Sequence, residues 1–371
     1  MKIKNKLSDK MRCAFFSLGS KSSQWTYEAL KKFFDEVIHY NLKGVEISLG
    51  GKDSNIFVDG KPIEKNFDCV YIKGSYRYST ALRALSEAFF NQAYQPIHPA
   101  SFDIGHDKIL THLVLEKAGV PMPKTYLFSN YASVKSFIKT AQYPLIVKLP
   151  RGTQGKGVIY IESFAAASSF LDALAQLKQP FLIQEYVETD GIDYRLLVIG
   201  EKVFGYKRIA NGEEKRANVH LGGSVGRIEV TQELKKIAFK TAKAMNADIC
   251  AIDILPTYKG PLVIEVNLSP GLQGATQATG VNLAEVIAEQ LYRNTVRFKD
   301  KQSKEKANLF SELGISLDGE NNNKVEIISE FEFKGNNVIL PQYIAKACRF
   351  KPAKNYKFVV DNNKLIISDS E

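Results

Sequence analysis

The segment PLVIEVNLSPGLQG, residues 261–274, constrains this chain more than any other part of the sequence. It predicts a strand that carries the carboxylate of Glu265 and, two residues later, the amide of Asn267, before a glycine-bearing turn. Because positions i and i+2 of a strand point to the same face, both side chains can reach one ion. Upstream, ICAIDILP predicts a second buried strand whose single acid is Asp253.

An acid among so many apolar neighbours needs a chemical reason, because an unpaired buried charge is costly. Carboxylate and amide oxygens are the ligands that a hard cation such as Mg2+ takes, together with nucleotide phosphates. We therefore predict that Asp253, Glu265 and Asn267 bind a metal ion. The alternative is a plain hairpin with two outward-facing acids, which the residues alone leave open.

Composition predicts a globular protein of two or three domains, since 371 residues can bury a sizeable core. An apolar share of 44 % is ordinary for this class, and no run approaches the length of about 18 residues typical of a membrane span. The basic start has no apolar segment of the secretory kind. The four cysteines lie far apart without metal-ligand spacing, which favours reduced thiols in a cytoplasmic protein.

A formal charge of +10 raises the question of nucleic-acid binding. The excess is dispersed, however, and no long basic run or aromatic RNA-binding signature accompanies it. A dispersed positive field suits an anionic substrate at least as well as DNA.

Hydrophobic periodicity divides the chain into blocks, which predict an α/β fold. We expect an α/β domain over residues 11–100, a larger α/β block over 101–295, a polar linker over 296–324 and a small β-rich segment over 325–371. Helices are predicted over 24–38, 81–93 and 107–118, the last one starting at an acid and stopping before Gly119 and Pro121.

The larger block contains several motifs that suit nucleotide phosphates. Lys148 lies in the predicted strand YPLIVKL, just before the glycine-rich loop RGTQGKGV, whose backbone N–H groups can approach phosphate oxygens. Further on, Asp193 and Arg195 share one strand face, and Tyr206 and Arg208 share another. Without further motifs, a flexible glycine hairpin and a solvated charged hairpin remain alternatives.

In order and spacing, these motifs resemble those of the RimK-type α-L-glutamate ligases of the ATP-grasp class. The matching motifs, from residue 148 onward, are Lys148, GTQGKG, QEYV, DYR, KR, RANVHLGG, AIDIL and EVNLSPGLQG. The resemblance covers roughly residues 11–292. It implies an N-terminal pre-grasp domain, followed by central and C-terminal ATP-grasp subdomains.

The resemblance also implies site residues. For ATP these are Lys108, Lys148, Gly152, Gly155 and Gly157 at the phosphates, Gln184, Glu185, Tyr186 and Val187 at the adenine, and Asp193 near the ribose. Arg195 is also among the implied cofactor-binding residues. Arg208 and Arg216 correspond to phosphate-neutralising arginines, and Asn218 to a loop that covers nucleotide and substrate. Asp253, Glu265 and Asn267 correspond to the ligands of Mg2+, usually two ions, for which Mn2+ can substitute.

The implied reaction is ATP-dependent amide-bond formation through an acyl phosphate, with glutamate as the family's usual amino acid. A carboxylate-bearing protein, peptide or cofactor is the implied acceptor. Close relatives have an arginine where this chain has Lys73, in YIKGS, which leaves the acceptor open. A nucleotide-sensing DNA-binding protein is the alternative function.

The last segment resembles an AbrB/MazE-like swapped-hairpin module, through GNNVILP, KPAKNYKF and a DNN turn. Members of that family dimerise and often bind DNA, so we expect a homo-oligomer. The alternative is a small β-rich extension packed on the enzyme body.

Overall fold

The computed structural model describes residues 10–50, 55–152, 157–210 and 224–312 and, near the C-terminus, 332–335, 337–340, 344–345, 348, 350, 354–361 and 364–369. The chain divides between Thr295 and Val296 into two compact units. The strands are β1 (Arg12–Ser17), β2 (Glu36–Asn41), β3 (Val45–Ser48), β4 (Asn55–Val58), β5 (Lys61–Pro62), β6 (Cys69–Ile72), β7 (Thr125–Tyr126), β8 (Leu145–Lys148), β9 (Val158–Ile161), β10 (Leu182–Glu185), β11 (Ile192–Ile199), β12 (Lys202–Ile209), β13 (Ser224–Arg227), β14 (Ile249–Leu255), β15 (Leu262–Asn267), β16 (Glu332–Lys334), β17 (Asn337–Ile339), β18 (Tyr356–Asp361) and β19 (Lys364–Asp369).

The helices connect these strands and cover their sheets. They are α1 (Lys21–Leu30), α2 (Ser79–Phe89), α3 (Pro99–Gly105), α4 (Lys108–Lys117), α5 (Tyr131–Thr140), α6 (Phe164–Gln176), α7 (Gln232–Ala244), α8 (Gln273–Thr279) and α9 (Leu283–Glu312), with 3-10 turns at Leu42–Gly44 and Tyr76–Tyr78.

The first sheet is parallel, in the order β2-β1-β6. Its central strand β1 is an apolar run, RCAFFS, that is almost wholly buried. The predicted helix over 24–38 is wrong in its second half, because α1 ends at Leu30 and Glu36–Asn41 form β2. The sequence EVIHYN is rich in β-branched and aromatic residues, and pairing with β1 outweighs the local helical pattern.

The second sheet, β7-β10-β8-β9, is antiparallel and has an apolar core of its own. Helices α5 and α6 pack on it through buried residues that include Val134, Ile138, Leu171 and Leu174. A separate core makes this sheet a distinct subdomain.

The third sheet, β13-β12-β11-β14-β15, is also antiparallel. One face packs into a core shared with the first sheet, in which Val70 and Ile72 meet residues such as Leu196 and Ile252. The first and third sheets share one core with their helices, and the second sheet has its own core with α5 and α6, which confirms the predicted α/β class.

The second unit contains the end of α9 and two hairpins, β16-β17 and β18-β19. The predicted polar linker over 296–324 is wrong over residues 296–312, because these belong to α9. Their composition, KDKQSKEKAN and its neighbours, is rich in lysine, glutamate and glutamine, which are good helix formers as well as polar residues.

Within the described part of the chain, no helix is both long and apolar enough to cross a membrane. The longest one, α9, has 30 residues and carries charged side chains throughout.

Candidate active site

A row of charged side chains crosses one face of the third sheet. Strand register places Asp193 opposite Arg208 and Arg195 opposite Asp253, and Asp253 in turn opposite Glu265. Hence residues from four strands, β12, β11, β14 and β15, meet on one surface, because directly opposed residues in a sheet point to the same side.

Two arginine–carboxylate pairs hold this row together. Arg208 donates from Nε and Nη2 to the two carboxylate oxygens of Asp193, at 2.6 and 2.7 Å. Arg195 contacts Asp253 in the same bidentate manner, at 2.6 Å for both bonds. Arg208 Nη2 also lies 2.9 Å from Asp253 Oδ2, so Arg208 joins the two pairs.

Burial raises the pKa of the two acids, Asp193 and Asp253, whereas the charge of the neighbouring arginines lowers it. Burial raises the pKa of Asp193 to about 6, although Arg208 partly offsets this. For Asp253, burial also favours the neutral form, but Arg195 and Arg208 together lower its pKa to about 2. Asp253 is therefore a carboxylate at every physiological pH.

The predicted metal ligands fit a hard cation in chemistry and in placement. A carboxylate offers about four acceptor positions, and the described contacts of Asp253 occupy three, which leaves one on Oδ1. Glu265 is half-buried, and its side chain forms no hydrogen bond with the described residues. Asn267 Oδ1 accepts one hydrogen bond, from Ser269 N at 2.9 Å, and retains a second acceptor position.

No group of three or more His, Cys, Asp and Glu side chains suited to a metal occurs among the residues that the structure describes. The predicted set contains two such residues and one amide. Oxygen ligands supplied by nucleotide phosphates and water would complete the coordination, as Mg2+ commonly requires.

Lys148, at the end of β8, brings a buried cation from the second sheet toward these acids. It is 6 % exposed, and burial lowers its pKa to about 8. The charges of Glu265 and Asp253 oppose that shift, whereas the charge of Lys108 adds to it. The structure thus places two lysines of the predicted phosphate site within electrostatic reach of the predicted metal site.

Lys108 is the first residue of α4. Its Nζ donates to Gly152 O at 3.2 Å, and its backbone N–H donates to Pro150 O at 2.9 Å, so it lies beside the start of the glycine loop. Gly157, at the end of that loop, has φ +78°, a conformation that favours glycine. Gly155, Arg216 and Asn218 lie outside the described residues.

A buried histidine that sequence reasoning missed orders the neighbouring side chains. His112 Nδ1 lies 2.7 Å from Lys108 O, and its Nε2 lies 3.2 Å from Gln184 Nε2. The carbonyl requires a donor at Nδ1, so Nε2 accepts from the Gln184 amide. Gln184 also donates to Thr125 Oγ1 at 2.8 Å. His112 follows Lys108 by four residues, about one turn of the predicted helix. This spacing could have indicated that the two residues lie side by side.

The rest of the predicted adenine segment follows Gln184 at the end of β10. Glu185 Oε1 accepts from Lys124 N at 2.8 Å, and the Tyr186 ring packs edge-on against Tyr160, with centroids 5.1 Å apart. Val187 is half-buried. Tyr186 and Val187 begin the connection from β10 to β11, and the assignment of this segment to the adenine stays a prediction.

Comparison with known proteins identifies the family. Residues 105–291 match the model of the RimK-like ATP-grasp domain. A probable alpha-L-glutamate ligase of Stutzerimonas stutzeri is 33 % identical over 277 residues, which are 74 % of this chain and 92 % of that protein. A second such relative, from Vibrio atlanticus, is 39 % identical over 191 residues, which are 51 % of this chain and 64 % of that protein.

Solved structures share the fold. A RimK-domain ATP-grasp protein of Sphaerobacter thermophilus aligns with a TM-score of 0.57 and 18 % identity, covering 75 % of this chain and 98 % of that one. The ATP-grasp ligase PsnB, solved with a precursor variant, Mg and ADP, aligns with a TM-score of 0.61 and 20 % identity, covering 77 % and 99 %. These solved structures confirm the ATP-grasp fold. The family match, the curated relatives and the matched motifs identify an ADP-forming, ATP-dependent carboxylate–amine ligase, and none of them supports the DNA-binding alternative. The chain belongs to the RimK-like ATP-grasp family.

Proposed function

We propose that this protein links an amino acid, with glutamate as the first candidate, to a carboxylate of a peptide or protein acceptor. The observation that carries the proposal is a buried lysine, Lys148 on the second sheet, whose ammonium group lies within electrostatic reach of Asp253 and Glu265 on the third sheet. That arrangement suits a nucleotide triphosphate whose phosphates lie between a lysine pair and a metal site.

In the proposed reaction, an acceptor carboxylate oxygen attacks the γ-phosphorus of ATP, and ADP leaves. The amine of the incoming amino acid then attacks the acyl phosphate, and phosphate leaves while the amine loses a proton. Lys108, Lys148, Arg208 and Arg216 would stabilise phosphate charge, and Asn218 would belong to the loop that covers nucleotide and substrate. Mg2+, held by Asp253, Glu265 and Asn267, would neutralise charge on the transferred phosphoryl group.

The choice of substrates rests on relatives. The curated relatives are named probable alpha-L-glutamate ligases. Several solved structures of similar fold are complexes with precursor peptides, among them PsnB and the macrocyclase MdnC. A carboxylate at the end of, or within, a peptide is therefore the acceptor chemistry to test first.

We also propose the roles of the domains and the cellular location of the protein. Residues 11–100 would act as the pre-grasp domain, 101–295 as the catalytic ATP-grasp domain and 325–371 as an AbrB-like oligomerisation module. Three buried free thiols, Cys13, Cys69 and Cys250, suit the reducing cytoplasm.

The direct test measures ADP release by the full chain with ATP and Mg2+, against each amino acid and against glutamate-containing peptides. Mass spectrometry of the products should show an acceptor heavier by one or more amino-acid residues. ADP release that no combination stimulates would reject the proposed substrates. Replacing Mg2+ by Mn2+ in the same assay tests metal substitution.

A further inference from the structure

Lys73 is a second buried lysine, and its environment differs from that of Lys148. It directly follows β6, is 5 % exposed, and donates from Nζ to the carbonyl oxygen of Pro270 at 3.2 Å. Among the described residues, no carboxylate pairs with this ammonium group. Burial accordingly lowers the pKa of Lys73, to about 8, with no opposing charge.

The position of Lys73 is fixed against the turn that follows the predicted metal ligand Asn267. Gly74 N donates to Ser269 Oγ at 3.0 Å, and Ser269 N donates to Asn267 Oδ1 at 2.9 Å. A Cβ atom at Gly74 would lie 2.7 Å from a methyl group of Leu82 and 2.8 Å from one of Leu42, so glycine permits the close packing of this segment against both leucines. The ammonium group is thus held beside the predicted reaction centre, on its N-terminal-domain side.

A single carbonyl does not compensate a buried ammonium ion. The group has three N–H donors and a full positive charge, and the described contacts use one donor. Desolvation of an unpaired charge is costly, so a lysine retained here indicates an anionic ligand. The proposed function already assigns Lys108, on α4, and Lys148, on β8, to the phosphates of ATP.

The proposed reaction supplies a suitable anion. One carboxylate becomes the acyl phosphate, but the joined molecules carry a further carboxylate that survives in the product. We propose that Lys73 binds this surviving carboxylate and so selects the substrate that carries it. The inference rests on the proposed function. The anion comes either from the α-carboxylate of the incoming amino acid or from a second carboxylate of the acceptor.

Three variants of the full chain test the proposal. Lys73→Met removes the charge at similar length, Lys73→Arg retains it, and Lys240→Met is the matched control. Lys240 also donates to a carbonyl, Gly119 O, but it is exposed on α7. Loss of one charge-assisted contact should raise the KM of the selected substrate about 10- to 100-fold. The KM of ATP should change less than about twofold.

Paired substrates distinguish the two sources of the carboxylate. The first pair is L-glutamate and its α-amide as incoming amine, and the second is an acceptor peptide ending in Glu and one ending in Gln. The wild type should discriminate within one pair, and Lys73→Met should lose that discrimination while Lys73→Arg largely keeps it. Unchanged discrimination within both pairs would overturn the proposal.

A purely structural role predicts a different pattern. If Lys73 only ties residues 73–74 to the turn at 267–270, Lys73→Met should lower the Tm and raise the KM of ATP and of both substrates together, which would also overturn the proposal. For a ligand-binding cation, the Tm should stay constant or rise, because an uncompensated buried charge is removed.

A labelling experiment keeps the test independent of turnover. An amine-reactive reagent is applied to wild-type protein with ADP and Mg2+, and modification of Lys73 and Lys240 is quantified by mass spectrometry. The amino-acid panel and the Glu-ended peptide serve as protectants. Slower labelling of Lys73, with unchanged labelling of Lys240, would support the Lys73 site. This holds even if the chosen substrates release no ADP, because that result would reject only the proposed function. Equal labelling with every compound would reject the Lys73 site.

Discussion

Asp253 and Glu265 face each other on adjacent strands, but the protein holds them differently. Asp253 is buried and fixed by two arginines, whereas Glu265 is half-buried and has no described hydrogen-bond partner. The first is therefore part of the framework of the third sheet, and the second is free to serve a ligand. Their substitution should have different consequences.

We expect Glu265→Gln to lower turnover at least about 100-fold, because loss of a charged metal ligand weakens phosphoryl-group stabilisation. The Tm should remain within about 2 °C of wild type, since the Glu265 side chain has no described hydrogen bond and only its charge interaction with Lys148 is lost. ADP release at saturating ATP and Mg2+ and thermal unfolding provide the two readouts. Glu116→Gln, at an exposed position on α4, is the control; near-normal turnover in Glu265→Gln would contradict the assignment.

The lowered pKa of another single residue, His112, predicts that the stability of the protein depends on pH. Burial, followed by the charge of Lys148, lowers its pKa to about 4 from 6.5. Between these values the unfolded chain binds a proton that the folded protein does not. Stability from this group is therefore complete above pH 6.5 and is lost as the pH falls toward 4.

Integration of this linkage gives a loss of about 2 kcal/mol between pH 7 and pH 5. His112→Gln cannot titrate but can still donate to Lys108 O and accept from Gln184. The measurement is urea unfolding of both proteins at the two pH values. The variant should lose about 2 kcal/mol less than the wild type, and equal losses would show that His112 is not held neutral.

At the scale of elements, the hairpin β11–β12 depends on a buried ion pair across its two strands. Asp193 and Arg208 occupy directly opposed positions, and both are at least nine-tenths buried. Removal of one partner of such a pair typically costs about 3–5 kcal/mol, whereas replacing both by apolar residues can be nearly neutral. A comparison of single and paired substitutions can therefore separate the contribution of this ion pair to stability from its contribution to catalysis.

We expect Asp193→Asn to destabilise the protein by roughly 3 kcal/mol, and Asp193→Leu combined with Arg208→Met to recover most of that loss. The double variant should nevertheless be inactive, because Arg208 is proposed to contact phosphate. Urea unfolding and ADP release would be measured on wild type, Asp193→Asn and the double variant. An active double variant would limit Arg208 to a structural role.

Elements with a strong local signal were predicted well from the sequence. Asp107 marks the start of α4 as expected, since its Oδ1 accepts from Ile109 N at 2.8 Å and from Leu110 N at 3.2 Å. Local signals failed at Glu36–Asn41, where pairing with β1 decides the structure. They also failed at residues 296–312, where polar composition does not distinguish a linker from an exposed helix.

The site shows the same division between local and long-range information. Period-two spacing placed Arg195 beside Asp193, and Arg208 beside Tyr206, each on one face of a strand. The pairing of Arg195 with Asp253, and of Arg208 with Asp193, depends on strand register across 58 and 15 residues of sequence. Register is a tertiary property, so the residues were predictable and the network that joins them was not.

At the scale of the whole molecule, the two C-terminal hairpins present apolar side chains that their own strands do not cover. Val360 is 79 % exposed and Phe358 62 % exposed in β18, and Leu365 and Ile366 in β19 are each 56 % exposed. An isolated two-stranded hairpin is at best marginally stable in water. We therefore expect the hairpins to pack against a second copy of the same segment, as the resemblance to a swapped-hairpin module implies.

This expectation gives a prediction for a chain that ends at Glu312, which retains the whole of α9. Multi-angle light scattering should find the full chain at least dimeric and the shortened chain with fewer subunits, while ATP-dependent turnover persists at least in part. Full-length Phe358→Lys combined with Val360→Lys should lower the subunit count in the same way, because a charge buried in an apolar interface is strongly unfavourable. Exposed Lys334→Ala in β16 is the control. Equal subunit counts for all four proteins would mean that this segment does not mediate self-association.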